Sequence, residues 1–333
     1  MKIAIVKLSA LGDIVHAMVV LQFIKKLNAK IQIDWIVEEK YKALLDNNPD
    51  ISNIHVVNLQ RAKKKKSVSL LFKELRQLRK IGHYDLVIDM QGLIKSAIVS
   101  KLIPSKNTIG FDKNSSKEGF SSYFYSNSFE IDYGLNIICR NANLVSGAMN
   151  FTVTNEELKT KKSFLYSKNM YFEENISLNK KNILLIPGAS NSSKCYSVKK
   201  LAELTTLVDA NFLIIWGSLI EKKMADKIKS MSPNVNICEK LSIGCLVSLI
   251  SQVNLVIGPD TGPTHMAWAL NIPSITLFGS TPGYRNSFVT KINRIIESDS
   301  AVNPYKINRN DCSVNNIKVS EICNLTKELL KTT

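Results

Sequence analysis

The chain runs to 333 residues, more than one ordinary hydrophobic core organises, so length alone predicts two domains. Hydrophobic residues at 45% suffice for two cores, yet no run approaches the ~18 apolar residues that span a bilayer, which predicts a soluble or peripheral protein. The net charge of +16 points to a polyanionic partner: nucleic acid, an anionic membrane surface or a polyanionic substrate.

Residues 2–8, KIAIVKL, read as a buried strand. The apolar stretch that starts there reads as mature chain and not a signal peptide, because Asp13 and His16 interrupt it and no small-residue cleavage site follows. Strands at 31–37, 54–59, 84–91 and 107–111 alternate with helices at 13–27, 38–47, 68–81 and 93–103. That alternation predicts a parallel sheet covered on both faces. From Gln60 to Lys80 nine basic residues meet one acid, Glu74, and Phe72 is the only aromatic. The segment reads as a lysine-rich loop followed by an amphipathic helix, without a stacking platform for nucleic acid. Ser115 to Ser128 fits neither period and reads as a covering loop, and a helix at 133–148 closes the half.

Residues 150–181 lack a strong strand and read as an inter-domain stretch. Alternation restarts with strands at 183–187, 211–217, 234–238, 254–258 and 274–278 and helices at 197–208, 220–231, 242–251 and 262–270; a last helix covers 318–331. The expected organisation is a first domain over 1–155, a connection over 156–181, a second domain over 182–317, and a C-terminal helix in 318–333 crossing back onto the first domain. Both domains are expected to be doubly wound and Rossmann-like, binding ligand at the carboxyl ends of their strands in one shared cleft.

The first strand-to-helix turn, Ser9-Ala10-Leu11-Gly12-Asp13, holds one glycine and a carboxylate where a dinucleotide site needs several glycines. An acid at a helix N-terminus repels phosphate and suits a proton acceptor. Asp is also a favoured helix cap, so both readings stand at this point. In the second half, Gly258-Pro259-Asp260-Thr261-Gly262-Pro263-Thr264-His265 runs directly into a helix. The N–H groups of Thr261 and Gly262 would form an anion site fit for a diphosphate, with His265 one turn on; a plain helix cap with a buried histidine is the alternative. Pro187-Gly188-Ala189-Ser190 lets backbone approach a ligand, and Lys194 supplies a point charge for a leaving diphosphate. Trp216-Gly217-Ser218 with Glu221 offers a carboxylate either to ribose hydroxyls or to its own helix.

The sequence has no D-x-D pair, H-E-x-x-H, G-x-S-x-G or Walker lysine motif, which disfavours metal- or serine-dependent hydrolysis and P-loop phosphoryl transfer. Neither first turn carries G-x-G-x-x-G, which disfavours a dehydrogenase. The six cysteines form no C-x-x-C pair and read as reduced thiols of a cytosolic protein. What remains is a nucleotide-bearing donor in the second domain and an acid in the first.

VKLSALGDIVH, VIDMQGLIKSA and GPDTGPTHMAWAL, in that order, resemble the bacterial lipopolysaccharide heptosyltransferases of glycosyltransferase family 9, most closely the type I branch. The resemblance spans nearly the whole chain. It implies a GT-B fold and an inverting, metal-independent transfer of L-glycero-D-manno-heptose from ADP-heptose to Kdo on lipid A, with no cofactor. Carried over by motif, Asp13 resembles the catalytic base, with Ser9 and Gly12 beside it on the acceptor side. Lys194 is similar to the phosphate-contacting lysine, Ser190 to a hydroxyl contact, Glu221 to the ribose ligand and Leu241 to an adenine-packing position. Asp260, Thr261, Gly262 and His265 match the donor motif. Arg61, Lys63 and Lys64 resemble a cationic acceptor loop suited to Kdo carboxylates and lipid A phosphates. The resemblance further implies an enzyme peripheral on the cytoplasmic face of the inner membrane, without a nucleic-acid partner.

Two departures bear on these roles. Pro263-Thr264 replaces the Leu-Ser of some relatives, and the loop around Lys194 lacks the aromatic that often follows that lysine. The alternatives are a heptosyltransferase II or III adding a later heptose, and a non-transferring GT-B protein such as a nucleotide-sugar epimerase.

Overall fold

In the computed structural model, which describes residues 1–168, 171 and 173–331, the chain divides into two units, Met1–Phe164 and Leu165–Thr333. Ile3, Ala4, Ile5 and Val6 are all fully buried, which is why the first strand reads as an unbroken apolar run: a central parallel strand is covered on both faces. The first unit follows the order β1 (Lys2–Val6), α1 (Leu11–Met18), α2 (Val20–Leu27), β2 (Gln32–Glu38), α3 (Lys42–Leu45), β3 (Asn53–Val57), α4 (Leu59–Lys64), α5 (Val68–Leu78), β4 (Tyr84–Asp89), α6 (Ile94–Leu102), β5 (Ser105–Phe111), β6 (Asn127–Phe129), α7 (Ile137–Met149) and α8 (Asn155–Lys159). Its six strands pair in parallel in the order β3-β2-β1-β4-β5-β6.

The second unit repeats the plan with β7 (Asn182–Leu185), α9 (Val198–Leu207), β8 (Asn211–Ile214), α10 (Leu219–Met231), β9 (Val235–Ile237), α11 (Ile243–Ile250), β10 (Leu255–Pro259), α12 (Gly262–Ala269), β11 (Ser274–Phe278), α13 (Gly283–Asn286), β12 (Asn293–Glu297) and α14 (Val319–Lys331). Its sheet, β12-β11-β10-β7-β8-β9, has the same winding as the first. In each unit strand order reverses next to the first strand, and ligands of such sheets bind outside the carboxyl ends of the strands at that switch point. The switch lies between β1 and β4 in the first unit and between β7 and β10 in the second. The turns that leave these four strands carry Asp13, Gln91, Gly188 and Asp260.

Several expectations are corrected. The helix expected to begin at Asp13 begins at Leu11, with Ala10 as its N-cap, so Asp13 is the third residue of its first turn and not the cap. The 38–47 helix reduces to a 3-10 turn and α3, because β2 continues through Glu38. The basic loop is largely helical as α4, since Leu59 and Ala62, three residues apart, bury one face. Two edge strands were not anticipated: β6 lies inside the aromatic-rich stretch and β12 in the polar sequence NRIIE. The closing helix α14 packs on α9 and on β10 and β11 of its own unit, where Ile322, Cys323 and Leu329 join the core; it was expected to cross back to the first domain.

Candidate active site

The turn after β1 is held from β4. Gln91 Oε1 accepts from the Leu8 and Ser9 N–H groups, each at 3.2 Å, and the buried Lys7 Nζ donates to the Met90 carbonyl at 2.8 Å. Gln91 is itself fixed by Asp89, whose carboxylate accepts from the Gln91 N–H at 2.8 Å, the Gly92 N–H at 3.2 Å, and the Ser96 and Tyr125 hydroxyls at 2.7 Å. Burial pushes the Asp89 carboxyl above the usual carboxylate range against the pull of these four donors. Gly92 is required in this turn: its φ is +67°, and a Cβ would lie 3.1 Å from the Phe111 ring. Beyond the turn, half-buried Asp13 accepts from the Ala10 N–H at 3.2 Å, the return half of a capping box. The Ser9–Ala10 peptide is cis.

The same strand ends hold the basic helix. Glu38 at the end of β2 accepts from the Gln60 N–H at 3.4 Å and from Lys95 Nζ at 3.2 Å, and its own N–H donates to Leu8 O. Arg61, Lys63 and Lys64 are exposed on α4, on the carboxyl edge that also carries Asp13.

In the second unit the switch point is organised by Asp260. Its carboxylate bonds Lys194 Nζ at 2.7 Å, His265 Nε2 at 2.9 Å, Thr281 Oγ1 at 2.9 Å and Asn286 Nδ2 at 3.2 Å. Burial alone would raise its pKa, but the His265 hydrogen bond and the Lys194 charge hold it well below the usual carboxylate range. Gly188 leaves room for Glu221, whose Cγ lies 2.3 Å from where a Cβ would stand. Glu221 Oε2 accepts from the Gly217 N–H at 2.6 Å and the Ser218 N–H at 2.9 Å, closing a capping box on α10. Trp216 Nε1 donates to Cys238 O at 2.9 Å, and Lys222 and Lys240 lie 5.9 and 6.0 Å from its ring centroid.

Residues 71–317 match the family described as glycosyltransferase family 9 (heptosyltransferase). The chain belongs to that family. It is 40% identical over 344 aligned positions to lipopolysaccharide heptosyltransferase 1 of Campylobacter coli, covering 99% of each chain. Against the Pseudomonas aeruginosa lipopolysaccharide heptosyltransferase 1, identity is 26% over 295 positions, covering 86% of this chain and 81% of the relative. The solved E. coli heptosyltransferase WaaC with ADP superposes with a TM-score of 0.81 at 20% identity, over 99% of this chain and all of that one, which shows a shared GT-B fold.

In this family 9 glycosyltransferase the structure brings Lys194, Asp260 and His265 into one cluster, with Thr261 as N-cap of α12 and Gly262 as its first residue. Ser190 is exposed in the loop before Lys194, and Glu221 packs against Gly188 in the turn after β7. Leu241 is half-buried just ahead of Ser242, the N-cap of α11. Of the two readings open for His265, the structure shows the buried one, with Nε2 on Asp260. Sequence reasoning missed Asp89, Gln91, Thr281 and Asn286. The first two had a signal in VIDMQG, an acid ending a strand two residues before a polar side chain and three before a glycine. Thr281 and Asn286 had none, because only the fold carries the loop after β11 to Asp260. Among the described residues no group of three or more His, Cys, Asp or Glu could hold a metal ion, and no helix is long and apolar enough to cross a membrane.

Proposed function

We propose that the chain transfers L-glycero-D-manno-heptose from ADP-heptose to the Kdo of Kdo2-lipid A, with inversion and without a metal ion. The observation that carries this reading is end-to-end 40% identity to a protein named lipopolysaccharide heptosyltransferase 1. Asp13 Oδ takes the proton of the acceptor hydroxyl as that oxygen attacks the anomeric carbon. The bond from that carbon to the β-phosphate oxygen breaks, and ADP leaves with the electron pair. Lys194 and the N–H groups opening α12 meet the charge that develops on the diphosphate, the part a divalent cation plays in other sites. Asp260 acts behind the anion site: its carboxylate bonds Lys194 Nζ and His265 Nε2 and so holds the lysine charge and the imidazole in place. Glu221 and Leu241 hold the ribose and adenine, with Ser190 a further donor contact. Ser9 and Gly12, with Arg61, Lys63 and Lys64, receive the acceptor. The enzyme works on the cytoplasmic face of the inner membrane as a peripheral protein, a reading supported by the exposed basic face of α4.

The test is incubation with ADP-heptose and either Kdo2-lipid A or its monoheptosylated form, in excess chelator. Heptose appearing on the unheptosylated acceptor is expected. Transfer only to the monoheptosylated form would make this a heptosyltransferase II or III, and strict dependence on added magnesium would refute the metal-free step.

A further inference from the structure

Helix α5 carries one apolar stripe, Val68, Leu71, Leu75 and Leu78, at helical spacing. Its C-terminal half does ordinary work: Leu78 is in the first unit's core and Leu75 packs against it. The N-terminal half is uncovered, with Val68 65% and Leu71 39% exposed. Across from it α6 presents Ile94 and Ile98, four residues apart. Together with Leu59 and Ala62 of α4 these side chains enclose a groove of about 540 Å³, within the range of ligand sites. Three cations, Lys63, Lys66 and Lys95, stand among its lining residues. Lys66 holds its place in a left-handed turn (φ +48°) between α4 and α5.

We propose that this groove takes one acyl chain of an anionic lipid, the acceptor glycolipid itself, while Lys63, Lys66 and Lys95 meet the phosphate beside that chain. An apolar trough with a cationic border complements an amphiphile with a hydrocarbon tail and an anionic head, and water gains nothing from wetting such a lining. Lys95 ties the groove to the site, because it is paired with Glu38 at the carboxyl edge that carries the turn to Asp13. The identity of the occupant as acceptor rests on the function proposed above; the affinity of the groove for a chain does not.

Binding of alkyl phosphates from octyl to tetradecyl, below their micellar concentrations, separates the two. Affinity is expected to climb about fourfold per methylene until the groove is filled. Leu71→Gln and Val68→Asp, both at exposed positions, should flatten that climb, and Lys66→Gln should weaken every chain length alike. Binding independent of chain length, or a climb untouched by both apolar variants, overturns the proposal. So does a concentration-dependent dimer that Leu71→Gln dissolves, which would make a second copy the occupant. In transfer assays the acceptor KM should be at least tenfold lower for acylated than for deacylated acceptor, and Leu71→Gln should bring the ratio toward one. A wild-type ratio near one overturns the assignment to the acceptor. No transfer to either acceptor, with alkyl phosphate still bound, contradicts the proposed function alone.

Discussion

Asp260 is placed here behind the donor site, acting through Lys194, and a double-mutant cycle reads that directly. The pair is 2.7 Å apart with side chains 13% and 6% exposed, so each group depends on the other for its charge balance. Removing one member of a buried pair costs ~3–5 kcal/mol of stability, a cost that Lys194→Ala also carries and that the unfolding control measures; Asp260→Ala strands His265, Thr281 and Asn286 as well and is the poorer probe. Asp260→Asn keeps the shape and an oxygen for His265 Nε2, while its amide NH2 replaces the Oδ2 that accepts from Lys194, Thr281 and Asn286. Lys194→Ala deletes a charge-assisted bond to the departing diphosphate, worth ~1.5–3 kcal/mol, or roughly 10- to 150-fold in kcat/KM for ADP-heptose. Asp260→Asn releases Lys194 from its anchor and should lose much of that same quantity. The double variant should therefore be little worse than Lys194→Ala, with a coupling energy of ~1–2 kcal/mol. The assay is kcat/KM for ADP-heptose at saturating acceptor, with thermal unfolding of each variant to confirm the fold. Additivity within ~0.5 kcal/mol would refute the positioning role and show that Asp260 acts independently.

Two further outcomes follow from the first unit. Lys63→Gln with Lys64→Gln should raise the acceptor KM by roughly two- to thirtyfold, since exposed charges contribute ~0.2–1 kcal/mol each, and leave the donor KM nearly unchanged; an equal rise in both would indicate a general effect on the fold. Asp34 is fully buried and bonded to Asn53, His55 and Tyr84, with Lys2 at 3.3 Å. Burial would raise its pKa, but those hydrogen bonds and Lys2 bring it below the usual carboxylate range. A depressed carboxylate stabilises the fold fully above its unfolded pKa and loses that contribution as pH falls through the folded value. Asp34→Asn should cost roughly 1.5–3 kcal/mol at neutral pH in denaturant unfolding, and the gap to wild type should narrow below about pH 4. A gap that stays constant down to pH 2 would contradict this.

The alternation of strands and helices was legible because central parallel strands are continuous apolar runs, Ile3–Val6 and Leu255–Pro259 among them. Strand order was not, since periodicity carries no information about neighbours; the paired switch points emerge only from the sheets. Edge strand β12 escaped because Asn293, Arg294 and Glu297 leave only Ile295 and Ile296 apolar in a short strand, with no period-2 alternation to read. Asp13, Lys194 and Asp260 stood out as charges in strand-to-helix turns. What those charges do to one another was hidden, because the Lys194–Asp260 pair spans 66 positions and both residues had been read as facing the donor. The amphipathic stripe of α5 was visible as a pattern. That only half of it is covered is a property of tertiary packing.

The decisive measurement concerns Asp13. Its bond to the Ala10 N–H makes it a helix-stabilising residue as well as the proposed base, and such a contact is worth only ~1 kcal/mol. Asp13→Asn keeps an oxygen for that N–H and loses the proton acceptor. If Asp13 is the base, Asp13→Asn should bind ADP as wild type does and lose ~10²-fold or more in heptose transfer, as Asp13→Ala should. An Asp13→Asn enzyme that transfers heptose at close to the wild-type rate would contradict the assignment and leave Asp13 as a structural residue of α1.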